Sequence, residues 1–245
     1  MQEGLFFGGT SGLVVPMPKR DFPVELAELS RLAFYGLREN SIEINSSFYK
    51  LPRQPTIHRW VTEVPVGFRF TFKLWQEITH QKGLLFNADN LHQFMRAIEL
   101  PAGSKGCLLI QFPPSLQVSA LPQLAELLLL LLAYDWRIAV EFRHVSWYND
   151  SVFDLLNTNR IAMVLQDMPK SLTPMELTAD DLVYLRFHGP SGNYKGSYTD
   201  AFLAEYASYI REWKEEKKTV YCYFNNTAGD ALQNLSFLKR RLDEK

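Results

Sequence analysis

Arg137-Ile138-Ala139-Val140-Glu141-Phe142-Arg143-His144 reads as a strand whose two faces differ in kind. Successive side chains of an extended chain point to opposite faces, so Ile138, Val140 and Phe142 share one face and Ala139, Glu141 and Arg143 the other. One face is continuous hydrocarbon; the other starts small and ends charged. Residues 41–45, 68–73, 184–188 and 220–225 repeat the pattern, each carrying its polar members on one face and ending in them. Five such stretches point to a polar chamber at one end of a sheet.

Working outward, strand-like runs recur at residues 5–9, 41–46, 68–75, 107–112, 137–144, 162–167, 182–188 and 219–225. Segments with helical spacing lie between most of them, at residues 24–37, 56–63, 90–100, 121–133, 151–157 and 200–217, and residues 230–242 close the chain. Alternating strand and helix predicts parallel pairing in an α/β fold. Helices cover the outer sheet face, so the face bearing Glu43, Lys73, Glu141, Arg186 and Asn225 has to turn inward. Eight alternations in 245 residues predict a TIM-type (β/α)8 barrel with its site at the C-terminal strand ends. Residues 168–181 hold Pro169 and Pro174 and lack an apolar stripe, so the sixth helix is expected to be reduced or missing. No linker, repeat or low-complexity run divides the chain, which predicts one domain over residues 1–245.

Bulk properties narrow the function classes. With 26 basic and 27 acidic residues the net charge is -1, so no chain-wide positive field draws nucleic acid nonspecifically. Cys107 and Cys222 each sit in an apolar run without metal-type spacing, as packed, reduced thiols do. Those thiols and the lack of a leader-like N-terminal segment predict a cytoplasmic protein. The leucine-rich residues 124–132 include Glu126 and fall far short of the roughly 20 apolar residues of a membrane span. They read as a buried amphipathic helix, and no membrane partner is expected.

Alternation collects Glu43, Asn45, Lys73, Gln111, Glu141, Arg143, Asp167, Arg186, His188 and Asn225 at the predicted mouth, with His144 just beyond strand five. Fixed ion pairs such as Glu141 with Arg143, or Glu43 with Lys73, would account for part of this set, because a buried charge without a partner is costly. Contributions from six or more strands exceed what structural pairing requires. Glu141, Asp167 and His188 are the acid–base candidates. Glu43, Asn45, Lys73, Gln111, Arg143, His144, Arg186 and Asn225 are the ligand-binding candidates, with Lys73, Arg143 and Arg186 matched to phosphate or carboxylate. A phosphate is expected near the loops after the last two strands, at residues 188–190 and 225–229. Glu43, Glu141, Asp167, His144 and His188 could also supply ligands to a divalent metal, although no HxH or HExxH pair occurs and no metal site is assigned. Tyr49, Trp147 and Tyr194 follow strands two, five and seven and are candidates to wall the pocket or to pack the loops.

The segments Ile42-Glu43-Ile44-Asn45-Ser46-Ser47-Phe48-Tyr49, Phe70 to Lys73, Gln111-Phe112-Pro113-Pro114, Glu141-Phe142-Arg143-His144 with Ser146-Trp147, Arg186-Phe187-His188-Gly189 and Tyr223-Phe224-Asn225-Asn226 occur together and in order. In them the chain resembles the YecE-like family of uncharacterised proteins, over nearly its whole length. The resemblance implies a TIM-barrel fold and no established reaction or cofactor; a likeness of such folds to endonuclease IV-like barrels is analogy. Two positions depart from the family pattern. After Gly9-Thr10-Ser11-Gly12 the family's Trp is replaced by Leu13, Val14, Val15 and Pro16, and its Asp after the paired asparagines is Thr227.

Three functional expectations follow. The first is an acid–base enzyme, a candidate hydrolase, acting on a small anionic molecule that bears phosphate or carboxylate. The second is a noncatalytic module binding nucleic acid or a protein partner. The third is a metal-dependent phosphodiesterase like the endonuclease IV-type barrels.

Overall fold

A computed structural model describes residues 3–244. The strands are β1 (Phe6–Thr10), β2 (Ser41–Ile44), β3 (Arg69–Lys73), β4 (Lys105–Gln111), β5 (Arg137–Glu141), β6 (Ala162–Met163), β7 (Leu165–Gln166), β8 (Leu182–Phe187) and β9 (Thr219–Phe224). They form two parallel sheets, ordered β2-β3-β4-β5-β6 and β7-β8-β9-β1. The α/β class and the parallel pairing agree with the sequence pattern. Between the sheets, Ser11 bridges Glu43 beside β1 and β2, and the Gly12 amide donates to the Glu43 carbonyl at 2.7 Å. Gly9 permits this approach: a Cβ there would lie 2.2 Å from the Ser41 carbonyl oxygen.

The single run expected over residues 162–167 is split at Val164, whose amide still donates to Val140 at 2.9 Å. The break has a side-chain cause. Thr178 Oγ1 accepts the Met163 amide at 2.7 Å and donates to the Ile161 carbonyl at 2.7 Å. Thr173 Oγ1 does the same for the Gln166 amide at 3.3 Å and the Val164 carbonyl at 3.0 Å. Hydroxyls of the proline-containing connection thus stand in for a strand partner, and no helix forms between β7 and β8 among the described residues.

The helices are α1 (Arg31–Gly36), α2 (Ser46–Tyr49), α3 (Gln54–Glu63), α4 (Gln76–Thr79), α5 (Ala88–Ala97), α6 (Leu121–Leu131), α7 (Asp150–Thr158), α8 (Asp200–Glu215) and α9 (Ala231–Asp243). Ser30, Asn87, Asn149 and Thr199 cap α1, α5, α7 and α8 by accepting a first-turn amide, each stabilising its helix by about 1 kcal/mol. The helix expected over residues 24–37 is shorter than its pattern. Ser30 is extended and caps the Ala33 amide, so only Arg31–Gly36 is α-helical and Val24–Leu26 is a 3₁₀ turn. In α6, Leu124, Leu127, Leu128 and Leu131 are buried while Leu129 is exposed, which accounts for the leucine run as one face of a helix. No helix of the described residues is long and apolar enough to cross a membrane.

Strand alternation sorts the core. Ile138 and Val140 pack outward with Phe70, Phe72, Leu108 and Ile110 against Leu91, Phe94, Leu124 and Leu127 of the helices. Ala139 faces the other way, into a separate cluster with Leu109 of one sheet and Phe7, Tyr184, Tyr221 and Tyr223 of the other. The sheets therefore face each other across this inner layer. Tyr223 OH ties them with hydrogen bonds to Ser41 Oγ at 2.5 Å and Thr71 Oγ1 at 2.8 Å. One step further along, inward positions turn polar or charged, with Gln111 after Leu109, Glu141 after Ala139, Arg186 after Tyr184 and Asn225 after Tyr223.

Candidate functional site

Arg186 forms the centre of that charged layer. Two residues beyond Tyr184 on the inward face of β8, it is 1% exposed and must find its partners inside the protein. Its Nη2 and Nε donate to Glu43 at 2.8 and 3.1 Å, and its Nη1 donates to Glu141 Oε2 at 3.0 Å. Ser11 Oγ and Tyr184 OH, the latter at 2.6 Å, also donate to Glu43. Arg143 Nε donates to Glu141 Oε1. Both glutamates are fully buried, and burial alone would raise their carboxyls. The adjacent guanidiniums outweigh it, so Glu43 and Glu141 are held below the ordinary carboxylate range.

His188 is fixed by the same network. Arg143 Nη2 and Arg186 Nη1 lie 2.9 and 3.0 Å from its Nε2. A guanidinium only donates, so Nε2 accepts and the ring proton sits on Nδ1, facing Asp167 Oδ1 at 3.2 Å. Burial lowers the His188 pKa, with Glu141 and Asp167 opposing, which favours this neutral tautomer. Asp167 is saturated as well. Its Oδ1 also accepts the His188 amide at 2.7 Å, and its Oδ2 accepts Tyr198 OH. Burial and the Asp167 charge raise the Tyr198 phenol far above its usual value, so it remains a donor.

Lys73 stands apart. It ends β3 on the inward face, yet the Glu43–Lys73 pair anticipated from sequence does not form, because Glu43 is taken by Arg186. No carboxylate oxygen of the described residues lies within 4.0 Å of Lys73 Nζ. Its contacts are Gln111 Oε1 at 2.7 Å and the Phe48 ring, whose centroid is 4.1 Å away. Burial, together with the positive charge of Arg186, pushes Lys73 down to about 7 against the partial opposition of Glu141 and Glu43.

Lys73, Gln111, Arg143, Arg186, Asn45 and Asn225 line a cleft of ≈ 300 Å³ whose rim carries Tyr49 and Tyr194. Tyr194 holds φ +64°, a left-handed conformation that is unfavourable for a side chain with a Cβ, and its amide donates to the His188 carbonyl at 2.7 Å. Asn45 Oδ1 is buried in the cleft wall without a hydrogen-bond partner. The structure thus brings together Glu43, Asn45, Lys73, Gln111, Glu141, Arg143, Asp167, Arg186, His188 and Asn225. His144 is turned to its own loop instead, where Nδ1 accepts the Ser146 amide at 3.2 Å. Trp147 is a core residue, stacked on Phe142 at 4.7 Å. Ser11 and Tyr184 were missed as partners of Glu43, although both follow from the inward alternation of β1 and β8. Tyr198 was also missed, and as a loop residue ten positions past His188 it gives no local signal.

The loops proposed for phosphate offer few free amides. The His188, Gly189, Asn225, Ala228 and Gly229 amides already donate to Asp167, Tyr198, Phe187, Tyr194 and Asn226. Asp230, preceding α9, adds a carboxylate where an anion would sit. An anion placed in this cleft would therefore meet side chains rather than free backbone amides. For a metal, no group of three or more His, Cys, Asp or Glu among the described residues is arranged to hold one. The oxygens of Glu43, Glu141 and Asp167 point to arginine, tyrosine and histidine.

Parallel strands, helices between them and charged side chains gathered at the C-terminal strand ends define an α/β protein with a polar site at the sheet edge. The chain belongs to the DUF72 family, a family of proteins of unknown function, whose model matches residues 9–245. It is 24% identical over 255 aligned positions to the UPF0759 protein YunF of Bacillus subtilis, covering 91% of this chain and 90% of that one. It is 28% identical over 120 positions to the UPF0759 protein YecE of Escherichia coli, covering 49% and 44%. A solved DUF72 family protein from Enterococcus faecalis superposes with a TM-score of 0.80 at 20% identity, covering 100% of both chains. Another, from Thermotoga maritima, does so with a TM-score of 0.78 at 26% identity, covering 98% of this chain and 100% of that one.

Proposed function

We propose that this protein is an enzyme acting on a small anionic substrate at the mouth of a one-domain TIM-type (β/α)8 barrel. Arg143 and Arg186 would neutralise the substrate's carboxylate or phosphate, and Lys73 would transfer the proton. Supporting closure of the barrel are the contact of β1 with β2 through Ser11 and Glu43, and the run Ala162 to Gln166, which serves both sheets. The free, buried Cys107 and Cys222 support a cytoplasmic setting.

The observation that carries this proposal is Lys73: a buried amine that reaches the cleft without a carboxylate beside it and is pushed down to about 7. Such a group can take and release a proton near neutral pH. The acid–base role therefore passes to Lys73 from Glu141, Asp167 and His188. Glu141 is held ionised between two guanidiniums, Asp167 has both oxygens occupied, and the His188 Nε2 lone pair faces Arg143 and Arg186. Glu141 and His188 position the arginines, and Asp167 positions His188. Titration calorimetry with inorganic phosphate and with pyruvate tests the cleft. Both should bind, and Arg143→Ala should weaken each about tenfold or more, the scale of one lost charge-assisted contact. Equal affinity in the two proteins would rule out this site.

A further inference from the structure

We propose that the Lys73 ε-amine condenses with the carbonyl of an aldehyde or α-keto substrate that also carries a carboxylate or phosphate, forming a covalent imine in the cleft. The inference rests on the anion-binding reading above and adds the substrate class. A neutral primary amine has two N–H bonds and one lone pair. One N–H of Lys73 is directed at Gln111 Oε1, 2.7 Å away, and the Phe48 ring lies against the nitrogen at 4.1 Å, so the lone pair is left to the cleft. The end of β3 is held firmly. Ser47 Oγ donates to the Lys73 carbonyl at 2.7 Å, and the Leu74 amide donates to Leu109 at 2.8 Å.

The surroundings favour the free amine. The charged groups acting on Lys73 are Arg186 of β8, Glu141 of β5 with Arg143 just beyond it, and Glu43 of β2; His80, after α4, in turn feels the Lys73 charge. Both glutamates are already paired with arginine, so neither holds the lysine as ammonium. Desolvation beside other cations is a general way to make a lysine nucleophilic. In the step itself, the Lys73 nitrogen adds to the carbonyl carbon and the C–O bond breaks. The oxygen leaves as water with one proton from the nitrogen and one from solvent, and the product is a protonated imine. Arg143, on the same cleft, takes the anionic end of the molecule.

The test uses the full chain with pyruvate and glyoxylate as anionic carbonyl probes and acetaldehyde as the neutral one. Sodium cyanoborohydride reduces the imine to a stable secondary amine, and peptide mass mapping locates it. At pH 7 an ordinary lysine is about one part in 2,500 free amine, so Lys73 should be labelled at least about tenfold faster than exposed Lys19, Lys50 and Lys82. Arg143→Ala should slow labelling by pyruvate and glyoxylate several-fold more than labelling by acetaldehyde, which has no anionic end for Arg143 to hold and reports only the change in the Lys73 amine. Labelling of Lys73 no faster than of the exposed lysines overturns the proposal. If pyruvate and phosphate still bind in an Arg143-dependent way while Lys73 stays unlabelled, the imine alone is lost. If neither binds and nothing labels selectively, the anion site is lost with it.

Discussion

Replacing Lys73 with methionine should stabilise the protein near neutral pH, by an amount that shrinks as the pH rises. Lys73 is 8% exposed, and burial followed by the Arg186 charge moves its pKa from 10.5 to about 7. Between those values the unfolded chain holds a proton on this lysine that the folded chain lacks, so stability increases with pH across the window. Below about 7 the full cost of burying the ammonium is present, and above about 10.5 it is gone. A difference of 10.5 − 7 = 3.5 pH units is about 5 kcal/mol at most, leaving about 4 kcal/mol at pH 7 and about 2 at pH 9. Methionine removes that term but leaves Gln111 Oε1 without its 2.7 Å donor, a loss of about 1 kcal/mol. The expected net gain is about 3 kcal/mol at pH 7 and about 1 kcal/mol at pH 9. Urea denaturation of both proteins from pH 6 to 9 measures it. The difference between the two is the quantity to follow, because the raised thiols of Cys107 and Cys222 weaken both folded states as the pH climbs past 9. A Lys73→Met protein less stable than its parent at pH 7, or a gain that does not shrink by pH 9, would show that burying the Lys73 ammonium carries no such cost.

Glu43→Gln should cost about 3–5 kcal/mol, since it turns an amide toward the donors of Arg186 and leaves the guanidinium short of charge; a loss below about 1 kcal/mol in denaturant titration would contradict the pairing. Because the Glu43 and Glu141 carboxyls lie below their ordinary 4.5, their stabilisation is complete above that pH and disappears as acid carries the pH down through the lowered values. The acid limb of the stability profile should accordingly be shallower in Glu43→Gln than in the parent. Tyr198→Phe removes the donor to Asp167 Oδ2 and the acceptor of the Gly189 amide, with an expected cost of about 1–3 kcal/mol. Faster amide exchange at Gly189 is the local readout, and unchanged exchange would place the hydroxyl outside the network. Tyr194→Gly should relieve the left-handed backbone and raise stability by up to about 1 kcal/mol while weakening pyruvate binding; a lower denaturation midpoint would show that the ring contributes more than the strain costs.

Period-two alternation made much of this fold legible. Ala139, Glu141 and Arg143 share one face because nothing in a parallel strand covered by helices permits otherwise, and the same constraint aligns Tyr184, Arg186 and His188. What alternation leaves open is which charge meets which. Glu43 sits equally well, in sequence, for Lys73 or for Arg186. The choice is made in three dimensions, where Arg186 spans Glu43 and Glu141 with three nitrogens and lysine has only one. The break at Val164 was hidden for a related reason: residues 162–167 read as a strand, and the threonines that replace its neighbour lie 9 and 15 positions downstream. The tautomer of His188 likewise depends on arginines from two strands meeting one nitrogen.

The arrangement also limits how a substrate can lie. Glu43, Glu141 and Asp167 formally balance Lys73, Arg143 and Arg186, but the two arginines pair with the two glutamates, Asp167 is held by His188 and Tyr198, and Lys73 is left over. An anion set directly against Lys73 would draw it back to ammonium, since an opposite charge within about 4–6 Å favours the charged form. Such binding takes up a proton near pH 7 to 8 and removes the lone pair on which imine chemistry depends. A substrate that exploits the free amine must therefore place its carbonyl at Lys73 and its anion at Arg143, on the side of the cleft where the charge is already committed to arginine. The two ends of such a molecule would be sorted by the difference between a guanidinium that cannot lose its proton and an amine that readily does.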